Sequence, residues 1–280
     1  MRTILIPVDF SEASDHAVTF AASWSKRYSY NRIILFKTFY ESMFEHLALG
    51  ADYIVANKED INRQREDGVQ QLSELRNKLL ADVNDGTEVT TEISELPLLR
   101  GIIELVKSED DIELIMLGSD SHTPSPQSFI SANVISIAKI SPVKVLIVPA
   151  DHAYETVTDI LVPCDVTTLT SLERLDRIKA NAQPDGGKLH ILNVAKNEEK
   201  VSVSSDKENY LHGYLKDFEH EIYTITGKDV LNGILSFATD HKMQLIIALP
   251  GKHSFLYSLT NKSISEAIYK NARQPVLILK

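Results

Sequence analysis

Short apolar runs alternate with longer amphipathic stretches along the whole chain, the pattern of a parallel β-sheet whose strands are joined by crossover helices. In the first half the runs predict strands at Thr3–Val8, Arg32–Lys37, Glu88–Ile93, Ile112–Leu117 and Lys144–Val148. Between them, Glu12–Tyr28 places Ala13, Ala17, Phe20, Ala21 and Trp24 on one helical face. The charged stretch Asn57–Val83 is predicted helical, with Val69, Leu72, Leu75 and Leu79 as its buried stripe, and Leu98–Lys107 and Ala132–Lys139 supply two more helices. The second half predicts strands at Asp159–Pro163, Lys188–Val194, Glu221–Thr226, Gln244–Leu249 and Val276–Leu279. Its helices fit Leu169–Asn181, Asp206–Phe218, Val230–His241 and Lys262–Asn271.

The two halves also match in detail. Ile4-Leu5-Ile6-Pro7-Val8-Asp9 returns as Ile160-Leu161-Val162-Pro163-Cys164-Asp165, each an apolar run closed by proline, one residue and an aspartate. Glu113–Leu117 parallels Gln244–Leu249, and Lys144–Val148 parallels Pro275–Leu279. Three matched segments in the same order predict a duplicated domain, residues 1–150 and 156–280, with the boundary at Pro149–Thr156. The halves differ most at Phe39–Ala56, an aromatic-rich insertion in the first half that reads either as a lid packed on the protein or as a patch for a partner.

At 280 residues the chain has room for two cores. No apolar run approaches the roughly 20 residues that span a bilayer, and the start enters a strand without a signal-peptide pattern, so no membrane association is expected. A single cysteine allows no internal disulfide and fits a reducing compartment, so the expected location is cytoplasmic. The formal charge of −10 argues against nucleic acid as the main partner. Most of that charge lies in residues 1–150, which hold 14 Lys and Arg against 22 Asp and Glu; residues 151–280 hold 15 against 17. An acidic balance still permits a mononucleotide, because backbone amides at a helix start bind phosphate locally.

In an open parallel sheet, ligands settle beyond the carboxyl ends of the strands. Asp9 and Asp165 fall there. A carboxylate in that place can accept hydrogen bonds from a ribose or an adenine amine, and it can equally cap the helix that follows. Beyond the fourth strand, Gly118-Ser119-Asp120-Ser121-His122 leads to Ser131-Ala132-Asn133, and Pro250-Gly251-Lys252-His253-Ser254 leads to Asn261-Lys262-Ser263. Small-residue loops feeding a helix start suit phosphate. The nine histidines show no His-x-x-x-His or cysteine-containing metal spacing, and no nucleophile is paired with a base at recognisable spacing, so neither a metal site nor catalysis is expected. Cys164 reads as a buried structural thiol.

The I-L-I-P-V-D-F-S start, the I-M-L-G-S after strand four and the closing S-P-V-K-V-L-I-V-P together resemble the universal stress protein family, in a tandem form, over nearly the whole chain. The resemblance implies two doubly wound α/β domains of the adenine-nucleotide alpha-hydrolase-like type, each with a five-stranded parallel sheet ordered 3-2-1-4-5. It implies pairing of the domains through their last strands, within one chain or in a homodimer. ATP-binding members carry G-x-x-G, nine residues, then G-(S/T). Here the first glycine is Gly118, while Ser121, Ser131 and Ala132 occupy the other positions. In the second half the positions are Leu249, Lys252, Lys262 and Ser263, with no glycine in register. A Cβ at these sites crowds the approach of backbone to phosphate.

The resemblance therefore implies a noncatalytic stress-response protein that acts by binding. ATP or another adenine nucleotide is the candidate ligand, in the first half, through Pro7, Val8, Asp9, Ser11, Thr38, Gly118, Ser119, Ser121, Ser131 and Ala132. Two other classes stay open. One is a slow ATPase using the first domain, and the other is a module for an unknown protein partner in which both pockets have degenerated.

Overall fold

The computed structural model describes residues 1–40, 51–120, 129–163, 187–195, 205–248 and 273–280. Among them are ten strands: β1 (Thr3–Pro7), β2 (Arg32–Thr38), β3 (Glu88–Ser94), β4 (Ile112–Ser119), β5 (Lys144–Pro149), β6 (Asp159–Pro163), β7 (Lys188–Ala195), β8 (His220–Thr226), β9 (Leu245–Ala248) and β10 (Val276–Ile278). The helices are α1 (Glu12–Tyr28), α2 (Ala51–Asp82), α3 (Leu98–Ser108), α4 (Phe129–Ile140), α5 (Ser205–Tyr214) and α6 (Val230–Asp240). The helices expected at Leu169–Asn181 and Lys262–Asn271, and Cys164, Asp165 and the loop at 249–263, lie outside the described residues.

All ten strands form one sheet in the order β3-β2-β1-β4-β5-β10-β9-β6-β7-β8. Numbered within its own half, each set of five reads 3-2-1-4-5, and the two sets run outward from a shared seam. At that seam β5 and β10 pair antiparallel, Ile147 with Val276, Leu146 with Leu277 and Val145 with Ile278. The other described pairings are parallel. Instead of two separate sheets, the last strands fuse the halves within one chain. Burying these edges against each other removes the unpaired backbone groups that an open edge would present.

Alternation along the strands sends side chains to two cores. Ile4, Ile6, Ile33, Leu35, Leu114 and Met116 meet α1 and α2, and the same core runs on to Leu211 and Leu215 of the second half. On the opposite face Leu5, Ile34, Phe36, Ile115 and Leu117 meet α3 and α4, and that core continues to α6. Fully burying one such side chain stabilises by about 1.5–3 kcal/mol. The segment after β5 returns to α1, where His16 donates Nε2–H to the His152 carbonyl at 2.8 Å and Tyr154 packs edge-on to Phe20 at 5.1 Å.

Several expectations change. Helix α2 starts at Ala51 instead of Asn57, and α5 ends at Tyr214 instead of Phe218. The stripe of α2 runs through Gly68, Leu72, Leu75 and Leu79, and Val69 is 42% exposed. The reason is close approach: a Cβ at Gly68 would lie 2.7 Å from the ring of Phe39, so the helix presses its bare backbone onto that ring. Strand β4 extends through Ser119, and helix α4 begins at Phe129. Gly118 and Ser119 are thus strand residues rather than loop, and Ser131 and Ala132 lie in the first turn of a helix. Among the described residues no helix is long and apolar enough to cross a membrane.

Candidate functional site at the carboxyl ends of the strands

Backbone hydrogen bonding decides where the chain leaves the sheet. Val8 still donates its amide to the Phe36 carbonyl at 2.8 Å, so departure begins at Asp9. Pro7 and Val8 are buried and form the floor beneath it. One carboxylate oxygen of Asp9 accepts the amide of Ser11 at 3.1 Å and its hydroxyl at 2.6 Å. The other accepts the amide of Ile130 at 2.7 Å. Ile130 is the second residue of α4, so Asp9 ties the turn after β1 to the positive end of that helix, where an anion is favoured. Ser11 meanwhile caps α1, accepting the Ser14 amide at 3.3 Å.

Gly118 is required by packing. A Cβ there would lie 1.9 Å from the carbonyl oxygen of Ala13, because the first turn of α1 rests directly on β4. Ser119 is buried and its carbonyl accepts the amide of Ala150 at 2.8 Å. The next amide, that of Asp120, donates to the hydroxyl of buried Ser131 at 2.8 Å. Strand β4 is therefore stitched to α4 by a serine where the family's glycine would stand. Ala132 is exposed on α4. Thr38, at the end of β2, donates its hydroxyl to the Leu96 carbonyl and braces the loop before α3. Asp9, Ser11, Gly118, Ser119 and Ser131 are gathered around the start of α4, with Thr38 at a neighbouring strand end. Ser121 lies outside the described residues.

Three further residues at this end were not picked out as site groups. Phe10 adopts a left-handed backbone conformation, φ 63°, rare for an aromatic residue and strained by about 1–3 kcal/mol. Its ring lies 4.9 Å from the ammonium of Lys37, and the ring of Phe39 lies 5.7 Å from it. Burial pushes the Lys37 ammonium below its usual range, opposed in part by the charge of Asp9. The cleft thus carries an anion engaged with backbone amides and a cation against two aromatic rings. The available signal in the sequence was a lysine at the end of an otherwise apolar strand; an αL phenylalanine leaves none.

A family model for the Universal stress protein family matches residues 1–149. No curated protein matches the chain. Among solved structures, a universal stress protein from Archaeoglobus fulgidus DSM 4304 superposes with a TM-score of 0.66 at 16% identity, covering 99% of this chain and 98% of that one. A putative universal stress protein from Pseudomonas aeruginosa UCBPP-PA14 gives 0.57 at 14% identity, with coverage of 100% and 93%. The cytoplasmic domain of a prokaryotic cation chloride cotransporter gives 0.52 at 10% identity, with coverage of 99% and 94%. These likenesses concern the fold, which evidently serves unlike roles. With over half of its length matched by the family model, on a fold shared by both halves, the chain belongs to the universal stress protein family.

Proposed function

We propose that this is a noncatalytic, cytoplasmic stress-response protein built from two universal stress protein-like domains, residues 1–150 and 156–280, and that its ligand site is the cleft of the first. The ligand is an adenine nucleotide, held weakly. The observation that carries this reading is the 2.7 Å bond from the Ile130 amide to Asp9. Helix-start amides are the natural seat of a phosphate, and here the protein's own carboxylate sits on one of them. A phosphate entering the cleft must displace Asp9 or share the helix end with it, against like-charge repulsion. Lys37 supplies the compensating cation at the same end of the sheet. The mirrored strand order and the matched first half support the two-domain division. Because β5 and β10 pair with each other, a homodimer would have to use a different surface.

A noncatalytic role is favoured because the carboxylate best placed to act as a base is engaged by three donors within its own domain. Titration calorimetry with ATP tests the proposal. Wild type should bind weakly, Asp9→Asn about tenfold more tightly, equivalent to about 1.4 kcal/mol, and Lys37→Met more weakly than wild type. Loss of binding in Asp9→Asn would instead place the carboxylate on the nucleoside. Absence of binding in all three proteins would move the function to partner recognition, and phosphate release above a blank that Asp9→Asn abolishes would restore the ATPase reading.

A further inference from the structure

We propose that His212 and His220 form a two-imidazole site for a late first-row divalent cation, with copper(II) bound most tightly. The site lies in the second half, away from the cleft, and does not depend on its ligand. His212 sits near the end of α5, and His220 opens β8. Their facing nitrogens, Nδ1 of His212 and Nε2 of His220, are 2.8 Å apart. Both flanks are anchored. Leu211 and Leu215 are fully buried, the Phe218 amide closes the turn onto the Leu215 carbonyl at 2.8 Å, and Glu219 pairs through its carbonyl with the Leu189 amide of β7.

The protonation pattern is that of a ligand. His220 Nδ1 lies 2.9 Å from the Phe218 carbonyl. A carbonyl only accepts, so Nδ1 carries the proton and Nε2 presents its lone pair toward His212. An imidazole oriented by a backbone carbonyl through its other nitrogen is the usual arrangement of a metal-bound histidine. Without metal, His212 donates Nδ1–H into that lone pair. With metal, the Nδ1 proton leaves to solvent and both nitrogens coordinate. On square-planar copper(II) two cis nitrogens at about 2.0 Å stand about 2.8 Å apart, the separation already present, whereas tetrahedral zinc needs about 3.3 Å, so for zinc the pair must open by about half an ångström. His212 is exposed at a helix end and can swing by that amount.

Asp217 and Glu219 on the connecting turn add negative charge nearby. Among the described residues no group of three or more His, Cys, Asp or Glu is placed to hold a metal. Water therefore completes the coordination, and the ion exchanges with solvent, unlike a closed structural site. Imidazole donors suit copper, nickel and zinc, with copper(II) favoured by the general order of stabilities. A separation of eight positions matches no helical ligand spacing, which is why the sequence alone passed over the pair. The turn between α5 and β8 brings it together.

The test uses the full chain with copper(II) alone, comparing wild type, His212→Gln, His220→Gln and the double variant by calorimetry and electron paramagnetic resonance. Wild type should bind one equivalent more than the double variant, with hyperfine splitting from two imidazole nitrogens. Each single variant should weaken that equivalent by about tenfold or more. If the double variant binds the same number of equivalents as wild type with the same spectrum, the site does not exist. Should a variant fail to fold, carbethoxylation of wild type read by peptide mass spectrometry decides: zinc(II) should protect both His212 and His220. Equal labelling with and without zinc overturns the proposal.

Discussion

Where β1 and β2 begin, Arg32 closes the first half of the sheet. Its guanidinium reaches Glu109 at 2.7 Å, Asp111 at 3.7 Å and Glu88 at 3.9 Å, and Asp111 also accepts the Thr3 hydroxyl at 2.7 Å. In the second half the same register position holds Lys188, whose ammonium meets exposed Glu221, while Asp159 stands in the place of Thr3. Ahead of the fourth strand Gln244 replaces Asp111, and its amide oxygen accepts from the Thr158 and Asp159 amides at 3.2 and 2.8 Å. His190 replaces Ile34 further along, bonding Asp159 at 2.8 Å through Nε2 while its buried Nδ1 has no partner among the described residues.

The comparison teaches that one topology accepts two kinds of closure. A guanidinium satisfies several carboxylates from one rigid fork and stays charged at every physiological pH. Once it is replaced by lysine, the strand end is held by an imidazole, an amide and a hydroxyl. Each arrangement leaves one buried nitrogen without a hydrogen-bond partner among the described residues, Arg32 Nε in the first half and His190 Nδ1 in the second, at about 1–3 kcal/mol apiece. The first half should therefore respond to salt and the second to acid.

The largest expected effect comes from Gly118→Val, which drives a side chain into the Ala13 carbonyl and should destabilise the first half by about 3 kcal/mol in urea denaturation. Next is Arg32→Met. It removes the cation facing Asp111 and Glu109, and the loss should be about 1–2 kcal/mol, below the range for a fully buried pair because Glu109 and Glu88 are partly exposed and Asp111 keeps the Thr3 hydroxyl. The sister change Lys188→Met should leave the denaturation midpoint unmoved, and equal effects would erase the contrast.

Asp159 provides the acid arm of the comparison. Burial raises its pKa, but hydrogen bonds from His190 and Thr158 outweigh that and hold the carboxyl below its ordinary range. The carboxylate therefore stabilises the fold above an unfolded value of about 3.9, and this contribution is lost as pH falls through the lower folded value. Asp159→Asn should cost about 1 kcal/mol or less at pH 7, given screening of a part-exposed group, and its difference from wild type should shrink below about pH 4. The smallest effect is that of Lys37→Met. Burial lowers the lysine's pKa, so the charged form opposes folding below the folded value and is relieved above it. Melting at pH 7 should rise by about a degree, with no gain at high pH; a clear fall would mean that the aromatic contacts of the ammonium dominate.

The strands were legible because a period of two with apolar runs has few other readings. Glu12–Tyr28 and Asp159–Pro163 match the expected bounds, and the remaining described strand bounds differ by at most two residues. Val69 misled because the helical period alone cannot distinguish a valine from an adjacent glycine pressed against a ring. At the cleft, the aspartate, the glycine and the serines could be named from pattern and family likeness, but their partners could not. The sequence alone determined a repeated order of strands and helices, an acidic balance and a first half closer to the family's nucleotide pattern. Tertiary structure decided that ten strands share one sheet, that Asp9 sits on the amide of Ile130, that Lys37 meets the rings of Phe10 and Phe39, and that two histidines meet across a turn. The physical reason is range: periodicity records which face a residue shows to its own element, whereas hydrogen bonds and close approaches depend on which distant element arrives opposite it.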